Sequence, residues 1–272
     1  MNTTTSSQFQ LVKEKGWRRG LGNLLQGEYS SWFKSSRCWK HLLMWFAIIN
    51  GLMGIMVIAS AKAAEEGSDG PPILFMYGWF GAMFGAIGVM IIMQRVLVRE
   101  KQQGTAAWVL SKPVTRTAFV VSRLVVNSIA ILLTSVIVPG LILYLTLGLF
   151  SDLGWLSPFG FMAGQLMFLL HALYWIAFVL MMGTLLESSG SIIGVSMALF
   201  FAFWYGPSLV PPLVYISPLM LIISPAPDQL ISLAGSFMTG EPVFSWVPLI
   251  STVVSCTVFI TVAIWRFNRQ EL

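Results

Sequence analysis

Six stretches of this chain stay apolar over about twenty residues each, the length an α-helix needs to cross the hydrocarbon core of a bilayer. They fall at approximately residues 42–61, 73–93, 124–149, 159–186, 190–207 and 247–265, and nearly all charge lies between them. Backbone in lipid must satisfy its own hydrogen bonds, so unbroken runs of this length predict helices. The expected fold is therefore an all-α polytopic membrane protein with six transmembrane helices. Two places break the pattern. Pro139-Gly140 should kink the third span, because proline removes one helical hydrogen bond and crowds the preceding turn. Residues 208–245 are too apolar for an exposed loop, yet Pro211, Pro212, Pro218, Pro225 and Pro227 forbid a plain spanning helix. Two short re-entrant or interfacial helices are expected there, with Asp228 and Glu241 near water.

Ahead of the first span the period changes. Residues 1–12 are polar and expected to be unstructured, whereas Trp17, Leu21, Leu24, Leu25, Trp32 and Phe33 recur at helical spacing. Arg18, Arg19, Lys34 and Arg37 fill the opposite face, so residues 17–37 predict a basic amphipathic helix lying at the membrane interface. Ala61-Lys62-Ala63 resembles a signal-peptidase site, but the polar region before the apolar run is too long, and the segment reads as an uncleaved anchor. The chain divides into a tail and amphipathic helix, 1–40, and a single transmembrane domain, 41–272.

Small residues mark two helix faces. Gly78, Gly81, Gly85 and Gly88 alternate at three and four residues in the second span, and Gly190, Gly194, Ala198 and Ala202 fall every fourth residue in the fifth. Small residues let helix backbones approach closely in lipid, so these rows predict packing seams or the wall of a path, and the two rows are candidates to face one another. His171, in the middle of the fourth span, is expected to hydrogen-bond a neighbouring helix.

Composition agrees: 56% of the 272 residues are hydrophobic and only 10% charged, against about a quarter charged in soluble domains. The net charge of +5 is not a nucleic-acid signature, because its distribution is one-sided. Six spans put both termini together with the cations of residues 13–40, 95–123 and 266–269, and leave Lys62 as the one basic residue opposite, among Glu65, Glu66, Asp69, Asp152, Asp228 and Glu241. The positive-inside rule makes the basic side, with both termini, cytoplasmic.

The sequence lacks the usual catalytic constellations. It contains no phosphate-binding P-loop, no H-E-x-x-H, and only two histidines, His41 and His171, in different segments. Two cysteines, Cys38 and Cys256, suit neither a disulfide framework nor a metal cluster. No catalytic, cofactor or metal site is expected in this chain. What remains is the basic stretch 95–123, in which Gly104 interrupts one helix, Thr105 is placed to cap a second through Ser111, and Pro113 stops it. A short helix lying across the membrane face, with Trp108 and Leu110 as apolar knobs, suits a surface on which another protein pushes.

These residues carry a resemblance. Glu100-Lys-Gln-Gln-Gly104-Thr105 followed by Leu110-Ser111-Lys-Pro113-Val114-Thr115-Arg116 resembles the stretch after the second span in permease subunits of ABC-2 type ABC transporters, with Thr115 where serine is commoner. The amphipathic helix with Glu28 is similar to that family's elbow helix, and the broken segment before the last span to its outer re-entrant helices. The resemblance implies that Glu100, Gly104, Thr105, Trp108, Leu110, Ser111, Pro113 and Arg116 form a coupling site docked on a separate ATPase subunit, which would hold ATP and Mg. It also implies a homodimer or a pair with a related permease, and a bacterial or archaeal cytoplasmic membrane. Its path would run between the second and fifth spans, and the departure from the importer pattern favours export. Two other classes stay open: an ion-gradient-driven secondary transporter, and a membrane assembly or anchoring protein without transport.

Overall fold

The computed structural model describes residues 15–224 and 231–270; the expected unstructured stretch 1–12, and Pro225, Pro227 and Asp228, lie outside them. Among the described residues the fold is all-helical, and six helices are long and apolar enough to cross a membrane. A 3-10 turn, Gly16–Arg18, leads into α1 (Leu21–Phe33). The spans are α2 (Ser36–Glu65), α3 (Ile73–Gln102, loosened to a turn at 94–97), α5 (Arg116–Phe150), α6 (Pro158–Leu185), α7 (Ser189–Leu209) and α10 (Val247–Asn268). Between them sit α4 (Thr105–Leu110) at the basic end, and α8 (Leu213–Ile216) and α9 (Leu233–Thr239) at the other. The helices overrun the expected apolar limits because polar caps start them early. The Ser35 side chain accepts from the Arg37 amide ahead of α2, and Thr115 accepts from the Ala118 amide ahead of α5.

The bundle is organised around α6. Of its most apolar stretch 78% is buried inside the protein, against 22% for α2, α7 and α10. A helix hydrophobic on every side is the one a bundle encloses. Its polar groups find partners there. Because the Pro218 carbonyl can only accept, His171 donates from Nδ1 to it at 3.0 Å, leaving Nε2 to accept from the Trp175 indole at 3.2 Å. The histidine thus bonds the broken outer segment and a residue one turn along its own helix.

That segment, expected as two short helices, folds as α8, a 3-10 turn (Pro218–Leu221) and α9. Its centre is apolar because it is buried: residues 217–224 are enclosed, Met220 and Leu221 fully, whereas Tyr215 and Ile216 of α8 are about half exposed. Glycines on two spans admit it. A Cβ at Gly78 of α3 would lie 2.0 Å from the Ile222 carbonyl oxygen, and one at Gly160 of α6 would lie 2.3 Å from that of Phe237.

Three spans carry a π-wound turn: Phe46–Asn50 in α2, Gly81–Gly85 in α3 and Leu133–Ile137 in α5. In α5 the cause is local. Pro139 cannot donate to the Ser135 carbonyl, and the wider turn just before it takes up the crowding expected to kink the helix. Thr134 and Ser135 add side-chain hydrogen bonds to the Ala130 and Ile131 carbonyls at 2.8 and 2.7 Å.

The π-turn in α3 also alters the expected glycine face. Gly78, Gly81 and Gly88 have as nearest neighbours Ile222, Phe168 and Trp45, from three different elements, and a Cβ at Gly85 would meet nothing within 4 Å. In α7 a Cβ at Gly194 also meets nothing, the nearest atom to one at Gly190 is the Ser188 hydroxyl, and Ala198 and Ala202 are exposed. The two rows do not pack glycine to glycine: the first is largely consumed by intramolecular packing, and the second is open.

Candidate functional site

The candidate site is the turn between α3 and α5 at the basic end. Leu97 and Val98 are buried, which pins the departing chain beneath the bundle. Gly104 then adopts φ +68°, a left-handed conformation that side chains resist, and reverses the chain. Gly104 itself, not Thr105, occupies the N-cap of α4; Thr105 is the first helical residue and makes no side-chain cap. Six residues give α4 two faces. Ala106 is fully buried and Leu110 half-buried, whereas Trp108 is 65% exposed. Only one of the two expected knobs therefore projects.

The helix stops where the sequence expects. The Ser111 hydroxyl donates to the Trp108 carbonyl at 2.7 Å, and the Val114 amide reaches the Lys112 carbonyl at 2.7 Å, a three-residue turn centred on Pro113. Lys112 lies 5.3 Å over the Trp108 ring, so a cation and an aromatic face share the outer surface.

Four attachments hold this surface to the rest of the molecule. At the N-terminal side, the Thr115 amide bonds the Arg19 carbonyl at 3.1 Å and the Thr115 hydroxyl donates to the Trp17 carbonyl, so one hydroxyl caps α5 and clamps the approach to α1. Serine would supply the same hydroxyl. Gly20 makes this clamp possible: at φ +80° it brings its backbone against Val114, and a Cβ there would fall 2.6 Å from Val114 Cγ2. At the C-terminal side, Arg116 donates to the carbonyls of Asn268 and Gln270. At the turn between α6 and α7, Lys101 donates to the Leu186 carbonyl at 3.4 Å and Gln102 to that of Glu187 at 2.9 Å.

The fourth attachment is ionic. The Arg123 guanidinium bridges two carboxylates, Glu28 of α1 through Nη1 and Glu100 through Nη2 at 2.6 Å. The side chains are only 12%, 12% and 21% exposed, in the order Arg123, Glu28, Glu100. Asn127, one turn on, donates to Glu28 Oε1 at 3.0 Å and accepts from the indole of the fully buried Trp32 at 2.9 Å. Among the described residues, Glu100 Oε2 and Arg123 Nε have no hydrogen-bond partner. Two acids thus depend on one cation in a low-dielectric pocket, where losing one partner costs far more than the net worth of the pair.

Glu100, the first residue of the expected motif, accordingly faces inward and joins the hairpin to α1 and α5. Gly104, Thr105, Trp108, Ser111 and Pro113 cluster on α4 and its ends, and Arg116 reaches the C-terminal segment. Glu28, Arg123, Asn127 and Trp32 were not foreseen as a unit. A signal existed: Glu28 shares one helical stripe with Leu21, Leu24, Leu25 and Trp32, and Arg123 shares another with Phe119 and Asn127. One charge on each of two apolar stripes is what a buried pair looks like in sequence.

The family model described as ABC-2 family transporter protein matches residues 7–272, almost the whole chain. No curated protein matches.

Proposed function

Starting from the fact that the chain belongs to the ABC-2 family of transporter membrane proteins, integral membrane subunits that lack an ATPase domain and associate with an ABC ATPase, we propose that residues 95–123 are the element through which the ATPase acts. Trp108, Lys112 and Pro113 would dock on the partner. The partner would hold ATP and Mg and, on closing, would push α4 toward the membrane. The observation that carries this reading is the pairing of one exposed aromatic with attachments to α1, α5, the α6–α7 turn and the C-terminal segment. A push on α4 is delivered to several spans together. The basic end, with both termini, would be cytoplasmic.

The open row on α7 suits a second copy of this chain or a related permease, with the path for export between α3 and α7. Replacing Trp108 by Asp and Gly104 by Pro tests the docking assignment. The expected result is loss of ATPase copurification and of coupled ATP hydrolysis, with the six-span fold retained. Intact association and transport in that variant would refute it. Full transport by the purified chain in ATP-free vesicles would move the protein to the gradient-driven class.

A further inference from the structure

A second feature of the basic end is a cleft of about 690 Å³ beside the hairpin. Its lining comes from three places in the chain: Lys101 and Gln102 of the hairpin, Leu185 and Glu187 of the α6–α7 turn, and Arg266, Arg269 and Gln270 at the C-terminal end. Among the described residues, three cations face one carboxylate and none of the three is in a salt bridge. Their donor capacity is largely unspent. Lys101 makes one hydrogen bond, at 3.4 Å, of the three an ammonium can donate. The Arg269 guanidinium stacks 4.5 Å from the Trp265 ring, which orients its plane while leaving the N–H fork free for an oxyanion. The floor is built: Gln270 donates from Nε2 to the Thr184 carbonyl and its own carbonyl is held by Arg116, while its buried Oε1 has no partner among the described residues.

We propose that this cleft binds the phosphate headgroup of an anionic phospholipid, held by Lys101, Arg266 and Arg269, with Gln270 Oε1 accepting from a headgroup hydroxyl. Its position favours a lipid over an acidic protein segment. It opens at the ends of two spans, next to the half-exposed Leu185 and Trp265, where aromatic residues mark the membrane interface and acyl chains can run alongside. Basic pockets between spans on the inner side are suited to such headgroups. Because one wall is Lys101 and Gln102, an occupied cleft would bind the hairpin to the C-terminal segment and stiffen the ATPase-facing surface. The binding claim itself does not depend on how that surface functions.

The test uses the full chain in detergent, with phosphatidylglycerol, phosphatidylcholine of the same acyl chains, and inorganic phosphate as separate probes. Retained lipid is read by native mass spectrometry and stability by thermal shift. Phosphatidylglycerol should be retained over phosphatidylcholine, and the double variant Arg266→Gln with Arg269→Gln should weaken it by roughly 25-fold, at about fivefold per cation. Arg95→Gln removes an exposed cation at the same end but outside the cleft and should leave retention unchanged. If the double variant does not fold, Arg266→Gln alone should show the fivefold loss. Equal retention of the two lipids, or equal weakening by Arg95→Gln and the double variant, would overturn the site. A thermal shift from inorganic phosphate as large as that from phosphatidylglycerol would make it a free-anion site. Displacement of phosphatidylglycerol by the bound ATPase subunit, with the same three cations required, would assign the cleft to the partner protein.

Discussion

Replacing Arg123 by Met removes the single cation between Glu28 and Glu100 while keeping most of the side chain's apolar bulk. Both carboxylates are then left in a pocket where they are only 12% and 21% exposed. Stripping one partner from a buried pair costs about 3–5 kcal/mol, and partial exposure puts this site near 3 kcal/mol. By the scaling of globular proteins, that lowers the unfolding temperature by roughly 6–10 °C. Much of the loss is the penalty on the abandoned acids and not the worth of the bridge. Adding Glu28→Gln and Glu100→Gln to Arg123→Met should therefore recover most of the stability. Glu28→Gln should cost more than Glu100→Gln, because Glu28 also accepts from Asn127. A thermal-unfolding series in detergent over these single and combined variants measures the coupling directly. Neighbours in one network couple by about 0.5–3 kcal/mol, so single-variant costs that add to within about 0.5 kcal/mol would refute the triad as an energetic unit.

The glycine positions separate backbone strain from lack of space. Gly104→Ala meets no atom but must hold φ +68°, a cost of about 1–2 kcal/mol that should appear as weakened coupling of ATP hydrolysis, with Gly104→Asn milder. Gly78→Ala drives a methyl against the Ile222 carbonyl oxygen and should sharply lower the thermal stability of α3 and the outer segment, whereas Gly194→Ala should leave monomer stability unchanged. Gly194→Leu should lower the dimer fraction seen by cross-linking if α7 is the seam. His171→Leu removes the donor to the buried Pro218 carbonyl and should cost about 1–3 kcal/mol, measured as faster proteolysis of the outer segment.

The spans were legible because a bilayer imposes a length on apolar runs, and residues 159–186 anticipated Pro158–Leu185 to within a residue at each end. The hairpin stop at Pro113 was legible because it rests on local chemistry. Thr105 misled for a related reason: a hydroxyl suggests a cap, but Gly104 already reverses the chain and leaves no extended residue from which Thr105 could reach back. The apolar stripes around Glu28 and Arg123 mark each as inward-facing, but their pairing with each other and with Glu100 is not legible, since it joins residues 95 and 23 positions apart and depends on how α1 crosses α5. Counting Arg123 with the topology cations hid that it points inward.

The π-turns have a consequence for how variants of this chain can be aligned with it. Each holds one residue beyond what α-winding needs, and all three border one small cavity with Trp45, Ile49, Gly85, Ser135, Val136 and His171 on its wall. Deleting a single residue such as Ile48 would return that turn to α-winding with both halves of the span keeping their faces, since five π-wound residues turn about as far as four α-wound ones. The same deletion in an α-wound turn would rotate half of the span by about 100° and draw it in by about 1.5 Å. Hydropathy would not register the change, since the run would still be long enough to cross. Yet in the α-wound part of α2 a deletion would turn the rest of the span away from the face on which Trp45 meets Gly88, the contact that seats α2 against α3. Within these three helices the number of residues, and not only their kind, decides which side chains look inward.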